Sequence, residues 1–230
     1  DEIPRAAAGL AGDWRDAVTV GLYLLSAHGA MLAAIDAPAE VRAAWAVAFG
    51  EAGMGLTAGQ HRDLRALPDV PWTEDDVLAL GGAKAGAAVG AFMSLGAIAA
   101  GRPDVAAWRA LGVTLGQMLQ VASDLEAYLV VGPHPDLAQA KLTLPLLAAR
   151  DMDPGLNAAW AAGLPLAVGP QQALRARVRA LGGVMYARLR VEALKHEVLA
   201  QLEALGCPGL VDLLAPVLAS AELDDEPVPI

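Results

Sequence analysis

The sequence predicts an all-α fold, and three observations support this prediction. Alanine and leucine, both strong helix formers, occur 51 and 36 times among the 230 residues. Aromatic residues make up only 4% of the chain, which disfavours a β-sandwich or a barrel. Apolar residues recur at helical spacing, and no strand-like alternation is sustained. We therefore expect one helical domain over residues 1–221 and an acidic, flexible tail over residues 222–230.

Charge and cysteine content narrow the function classes. The formal net charge is −10 and the pI is about 4.7, so there is no surplus of basic residues to bind nucleic acid. A single cysteine, Cys207, argues against a disulfide scaffold and fits a reducing compartment, so we expect a cytoplasmic protein. Three long uncharged stretches, at residues 17–35, 85–101 and 154–174, are too short or too interrupted to span a membrane. We expect all three to be buried, with no transmembrane segment.

The first half of the chain contains three predicted helices. Residues 17–35 have an apolar stripe, and residues 39–67 follow Pro38 with a sequence dense in alanine and glycine. A third helix is predicted to begin at Thr73, because Asp76 lies three residues later in the pattern of a capping box. This helix continues into a run of small residues that allows a neighbouring helix to approach closely.

A long helix over residues 105–130 is the clearest prediction. Its apolar residues alternate in steps of three and four, as one stripe: Trp108, Leu111, Leu115, Met118, Ala122, Leu125 and Leu129. A polar stripe runs beside it, formed by Gln117, Gln120, Asp124 and Tyr128. On so apolar a helix these polar groups form a solvated face, a satisfied core network or the lining of a cavity.

Glycine and proline divide the C-terminal half into further helices. Breaks are predicted at residues 132–135, 153–155, 163–170 and 206–209. Residues 174–205 have helical spacing throughout and form one or two helices, with Gly182 and Gly183 as the point where the helix is weakest.

Four short motifs occur in a fixed order. They are Gly59-Gln60-His61-Arg62-Asp63-Leu64, Lys84-Ala85-Gly86-Ala87, the stretch from Gln120 to Ala127, and Asp136-Leu-Ala-Gln-Ala-Lys141-Leu-Thr-Leu-Pro145. In these motifs the chain resembles the trans-isoprenyl diphosphate synthases, or polyprenyl synthetases. The resemblance covers residues 1 to about 150 well, and the remainder only by helical pattern. It implies an all-α bundle around a deep central cavity.

The resemblance also implies a reaction and a set of site residues. The family joins an allylic diphosphate to isopentenyl diphosphate, and two Asp-rich motifs hold Mg²⁺ on the leaving diphosphate, where the metal acts as a Lewis acid. The implied catalytic residues are Lys84, Asp124 and Gln120. The implied substrate-binding residues are Lys84, Lys141, Gln60 and Asp63. The implied Mg²⁺ ligands are Asp1, Glu2 and Asp124.

Both Asp-rich motifs depart from the family pattern. The second motif retains Asp124, but Ser123 and Ala127 replace its other two acids. The first motif aligns with residues 1–5, where Arg5 stands in the place of the last acid. Because a cation opposes Mg²⁺ at that position, we expect weakened metal binding. Family members carry several helices before this motif, so we expect the N-terminal helices of the fold to be absent from this chain.

Two functions from different classes fit these residues. The chain is either a divergent prenyltransferase, or a catalytically weak or inactive regulatory subunit that binds isoprenoid diphosphate and partners an active synthase. The family implies a homodimer in the first case and a heterodimer in the second. A third alternative is an unrelated helical bundle whose motifs match by chance.

Overall fold

Helices form the regular structure in the computed structural model, which describes residues 14–65, 71–130, 132–139, 141–153, 155–156 and 167–220. No strand occurs in these ranges. The α-helices, in chain order, are α1 Trp14–Ala34, α2 Ala39–Asp63, α3 Glu74–Gly81, α4 Ala87–Ala99, α5 Val105–Leu129, α6 Pro135–Ala138, α7 Leu144–Met152, α8 Val168–Ala180, α9 Gly183–Ala204 and α10 Leu210–Ser220. A π-helical segment, Gly82–Gly86, joins α3 to α4. The all-α prediction is confirmed.

The chain divides into two compact units, Asp1–Gly50 and Glu51–Ile230. The first contains α1 and residues 39–50 of α2. The second contains the last part of α2 and all later helices, and it holds the core. The prediction of one domain over residues 1–221 stays a prediction, and the predicted tail lies outside the described residues.

Helix α5 forms the centre of the second unit. The apolar stripe predicted for it is confirmed as core, and Leu111, Met118 and Leu125 are almost completely buried. Helices α4 and α9 pack against it. Helix α4 approaches α5 at van der Waals limits, since a Cβ added to Gly112 would lie 2.6 Å from the Cα of Gly90. The small-residue run therefore serves helix packing, as the sequence predicts.

The helix boundaries follow local sequence signals. Thr73 and Asp76 form the predicted capping box at the start of α3. Helix α8 ends at Ala180, and Gly182 adopts a φ of +81° before α9 begins, so the chain is interrupted where the double glycine indicates. Residues 66–70, between α2 and α3, lie outside the described residues.

The prediction that residues 17–35 are buried is wrong. In α1, Leu22, Leu24 and Leu25 are each 61% exposed, and Tyr23 and Met31 are more exposed still. These residues lie on all sides of the helix, since four of them are consecutive. The reason for the error is that an apolar sequence does not say what will cover it. Within the described part of its own unit, α1 contacts α2 where the His28 ring stacks on Phe49, and the five apolar side chains named above stay exposed.

One described helical stretch, Glu74–Ala99, is long and apolar enough to cross a membrane by length and composition. Half of its most apolar 18-residue segment is buried inside the protein, and core helices of globular proteins can be equally long and apolar. It includes residues 85–99 of the stretch predicted to be buried, 85–101, and this prediction holds for one face of α4 only, since Phe92 is 65% exposed. The third uncharged stretch, residues 154–174, lies mostly outside the described residues. The predicted absence of a transmembrane segment stays a prediction.

Candidate functional site

A polar cavity in the second unit brings together most of the site residues predicted from the sequence. It contains about 390 Å³ of empty space, part of it open to solvent. It is lined by Asp63, Val77, Leu80, Gly81, Lys84, Gln120, Asp124, Asp136, Lys141, Leu142 and Thr143. Gln60 is half-buried but does not line the cavity. Asp1 and Glu2 lie outside the described residues, so their predicted role as metal ligands stays a prediction.

Glycines allow α2, the π segment and α5 to meet at this cavity. A Cβ on Gly59 would lie 2.8 Å from the Ala83 backbone, so only glycine lets α2 approach the π segment this closely. Gly81 and Gly82 face α5 less tightly, since a Cβ on Gly81 would lie 3.4 Å from the Gln120 side chain and one on Gly82 would lie 3.0 Å from the Gln117 Nε2. Gln117 also donates a hydrogen bond to the Leu78 carbonyl, so it serves packing rather than the cavity.

Lys84 lies in the π segment and points at the end of α2. Its Nζ lies 2.8 Å from the Asp63 Oδ2, and both side chains are largely buried, with exposures of 17% and 10%. A π-helical turn widens the helix locally and is often found at functional sites. Here it presents the lysine from a position that is surrounded by small residues.

A second lysine reaches the same carboxylate from another part of the chain. The Nζ of Lys141 lies 3.2 Å from the Asp63 Oδ2 and 3.4 Å from the Asp136 Oδ1. Burial lowers the pKa of Lys141. Asp136 in turn lies 3.7 Å from the Nδ1 of His134. Two carboxylates and two ammonium groups thus alternate from Lys84 to Asp136, whereas the His134 Nδ1 accepts a hydrogen bond from the Asp136 backbone amide.

Asp124 supplies a third carboxyl to the cavity, beside those of Asp63 and Asp136. Burial raises its pKa to about 7; a hydrogen bond from Gln120 lowers it and the charge of Asp136 raises it further. The Gln120 Nε2 donates to the Asp124 Oδ1 at 2.9 Å. The neighbouring motif residues Ser123 and Glu126 are exposed. Of the predicted polar stripe, Gln120 and Asp124 therefore line the cavity, and the other two residues do not.

The fourth polar residue of that stripe, Tyr128, belongs to a satisfied core network. Its hydroxyl shares a 3.0 Å hydrogen bond with the Thr143 Oγ1, and burial raises its pKa, so it stays protonated. Thr143 and Asp136 line the cavity but were not predicted as site residues. A signal was present, since both lie within the motif that contains Lys141.

Helix α8 holds the chain that follows Asp124. Gln171, Arg175 and Arg179 are spaced four residues apart and form one polar stripe, which we call the α8 ladder. Each side chain forms a hydrogen bond of 2.7–3.0 Å with the main chain. Gln171 accepts from the amide of His134, Arg175 donates to the carbonyl of Ala127, and Arg179 donates to the carbonyl of Tyr128. Arg175 is buried, so this arginine serves the packing of the core.

The described carboxylates do not form a Mg²⁺ site. Mg²⁺ needs several hard oxygen ligands, whereas Asp63 is neutralised by two lysines and Asp124 is hydrogen-bonded to an amide. Within the described ranges, no group of three or more His, Cys, Asp or Glu side chains is placed to hold a metal ion. The role of Asp124 as a metal ligand stays a prediction.

Solved structures share the architecture. A decaprenyl diphosphate synthase from Rhodobacter capsulatus superposes with a TM-score of 0.69 at 23% identity, over 77% of this chain and 59% of its own. A polyprenyl synthase from Roseobacter denitrificans gives a TM-score of 0.76 at 24% identity, over 89% and 71% of the two chains. A geranylgeranyl pyrophosphate synthetase from Pyrococcus horikoshii gives 0.77 at 19% identity, over 92% and 68%.

The chain has the fold of the trans-isoprenyl diphosphate synthases. At these identities the similarity establishes the fold and leaves activity to be argued from the site. No protein-family model matches the sequence, and no curated protein is significantly similar to it. This example of the prenyl-synthase fold spans 59% of the length of the Rhodobacter capsulatus structure.

Proposed function

We propose that this chain binds an isoprenoid diphosphate in the polar cavity and acts as a catalytically weak, prenyl-synthase-like subunit. The convergence of Lys84 and Lys141 on one point of the cavity wall is the observation that carries the proposal. Lysine ammonium groups are common phosphate ligands. The chain has only three lysines in all, and two of them meet here.

The rest of the cavity wall supports an amphipathic ligand. Val77, Leu80 and Leu142 line the cavity beside the charged groups. Apolar side chains next to two ammonium groups suit a molecule with an anionic head and a hydrocarbon chain.

Weak catalysis is supported by the state of the second Asp-rich motif. Asp124 is its one acidic residue on the cavity wall, and a pKa of about 7 leaves that carboxyl partly protonated at neutral pH. A partly protonated carboxyl is a poor metal ligand. Charge neutralisation of a departing diphosphate would therefore be weak in this chain alone.

The second candidate is a condensing prenyltransferase. It is favoured by one observation, which is that Lys84, Gln120 and Asp124 line a single cavity. This candidate requires Mg²⁺. The family resemblance predicts that this chain binds Mg²⁺. A chelator control separates the two candidates.

The proposed partner is a second polypeptide, either a copy of this chain or an active synthase. The exposed apolar side chains of α1 support self-association or pairing, because a helix that is apolar on all sides is normally covered. A cytoplasmic location fits both partners and stays a prediction.

The decisive experiment measures condensation and binding on the same preparation. The chain is incubated with farnesyl diphosphate, labelled isopentenyl diphosphate and Mg²⁺, alone or with an active prenyl synthase, with and without a chelator. Lys84→Ala is compared with Lys195→Ala, which removes the remaining lysine on α9, outside the cavity lining. We expect diphosphate binding that Lys84→Ala abolishes, no elongation by the chain alone, and altered product length in the mixture.

Two outcomes contradict the proposal. Chelator-sensitive elongation by the chain alone, lost in Lys84→Ala, would establish an active enzyme and reject the weak subunit. Equal diphosphate binding by wild type, Lys84→Ala and Lys195→Ala would reject the cavity as the binding site.

A further inference from the structure

We infer that Asp63 is an internal competitor for the diphosphate site, which holds both lysines in the free protein and must release them when an anion binds. The inference rests on the proposed function and concerns the regulation of the same cavity. It starts from the fact that one oxygen, the Asp63 Oδ2, lies 2.8 Å from the Lys84 Nζ and 3.2 Å from the Lys141 Nζ. A single carboxylate therefore occupies the position between the two ammonium groups.

An incoming phosphate needs that same position. An anion that contacts both ammonium groups must lie within hydrogen-bond distance of each, as the Asp63 Oδ2 does now. The three side chains are only 10–17% exposed, so solvent screens their charges poorly. The same burial leaves little room for a phosphate beside the Asp63 carboxylate. Like charges at such a separation repel strongly, so the Asp63 carboxylate and a bound phosphate exclude each other.

The charges around the cavity make the competition stronger. Asp63, Asp124 and Asp136 face two lysines, so the lining has no excess of positive charge. In the free protein, carboxylates of the cavity neutralise the two lysines. The affinity for an anion therefore depends on the free energy needed to separate Asp63 from Lys84 and Lys141. Asp136 competes less, because it contacts Lys141, at 3.4 Å, and not Lys84.

The test compares charge-removing variants in a binding assay without metal. Inorganic diphosphate is titrated by calorimetry into the full chain in the presence of a chelator. The variants are Asp63→Asn, Asp136→Asn and Glu51→Gln. Glu51 is the control, because it lies on the same helix as Asp63 and forms a 2.7 Å ion pair with Arg109 that is exposed and outside the cavity lining.

We expect Asp63→Asn to bind diphosphate at least about tenfold more tightly than wild type, which corresponds to about 1.4 kcal/mol. Asp136→Asn should gain less, and Glu51→Gln should stay within about twofold of wild type, since its pair is exposed and weak. Unchanged or weaker binding by Asp63→Asn would overturn the inference and indicate that Asp63 orients the lysines.

A measurement on the wild-type protein covers the case in which Asp63→Asn does not fold. The ¹³C chemical shift of the Asp63 carboxyl is followed by NMR during the diphosphate titration. Release from the lysines predicts a shift toward that of a solvated carboxylate, and an unmoved resonance at saturation would contradict the inference.

Lys84→Ala separates this inference from the proposed function. If wild type binds diphosphate, Lys84→Ala does not, and Asp63→Asn matches wild type, the function stands and the competition is wrong. If none of the three proteins binds diphosphate, the proposed function fails and the inference fails with it.

Discussion

Gly116 of α5 lies against Gly86 of the π segment so closely that a Cβ on Gly116 would fall 2.5 Å from the Gly86 backbone nitrogen. This contact holds the segment that carries Lys84 against the helix that carries Asp124. The neighbouring backbone cannot move aside as a flexible side chain could. The contact therefore links the packing of the core to the geometry of the cavity.

Gly116→Ala is predicted to destabilise the protein by about 3 kcal/mol or more, because overpacking here acts on backbone atoms. Urea unfolding followed by circular dichroism measures the change. Gly96→Ala is the control on α4, since nothing lies within 4 Å of a Cβ there and alanine favours helix by about 1 kcal/mol. Similar stabilities for the two variants would show that α5 and the π segment separate easily.

Tyr128→Phe is predicted to cost about 1–3 kcal/mol, because the Thr143 hydroxyl would stay buried without its partner. Denaturant unfolding of this variant, of Thr143→Val and of the double variant forms a double-mutant cycle. We expect the double variant to lose less than the sum of the single losses. Strictly additive losses would argue against the hydrogen bond.

Asp124 predicts an unusual dependence of stability on pH. Its folded pKa is about 7 against an ordinary value of 3.8, so between these values the folded protein holds a proton that the unfolded chain has released. The contribution of Asp124 to the free energy of unfolding therefore falls as pH rises through this window, by at most about 4 kcal/mol.

Asp124→Asn should remove that fall, so its stability relative to wild type should be higher at pH 8 than at pH 5. Unfolding at the two pH values measures the difference. Asp153→Asn is the control, because the hydrogen bond from Arg177 lowers the pKa of Asp153 below its ordinary value of 3.8, so its stabilisation is complete at both pH values and its difference from wild type should not change between them. A pH-independent difference between Asp124→Asn and wild type would contradict the raised pKa.

Leu25→Glu is predicted to convert a dimeric preparation to monomer if α1 is the pairing surface, because a buried unpaired carboxylate is costly at an interface. Light scattering coupled to size-exclusion chromatography gives the mass. Leu213→Glu, on α10 and 71% exposed, is the matched control and should leave the mass unchanged. A dimer that survives Leu25→Glu would place the contact elsewhere.

The fold was predictable because its helices follow local signals. The alternating stripe of α5, the capping box at Thr73 and the double glycine at residue 182 each indicate structure within a few residues. The meeting of Lys84 with Asp63 was not predictable from spacing alone, since they are 21 positions apart and belong to different helices. The family resemblance identified both as site residues, and the structure shows that they form an ion pair.

Two features of the molecule could not be predicted from local sequence signals. The exposure of α1 depends on what covers it, which the sequence of one chain does not contain. The raised pKa of Asp124 depends on burial and on neighbouring charges from three other segments, so an isolated acidic residue on a helix gave no sign of it.

The α8 ladder bears on how this chain could diverge. Gln171, Arg175 and Arg179 bind backbone atoms, which every residue type provides except the amide hydrogen of proline. Substitutions at the three contacted positions other than proline at position 134 would therefore leave these hydrogen bonds to α8 available. Contacts to the main chain do not depend on which side chain the contacted residue carries. Catalytic motifs can therefore change in sequence while the helices keep their positions.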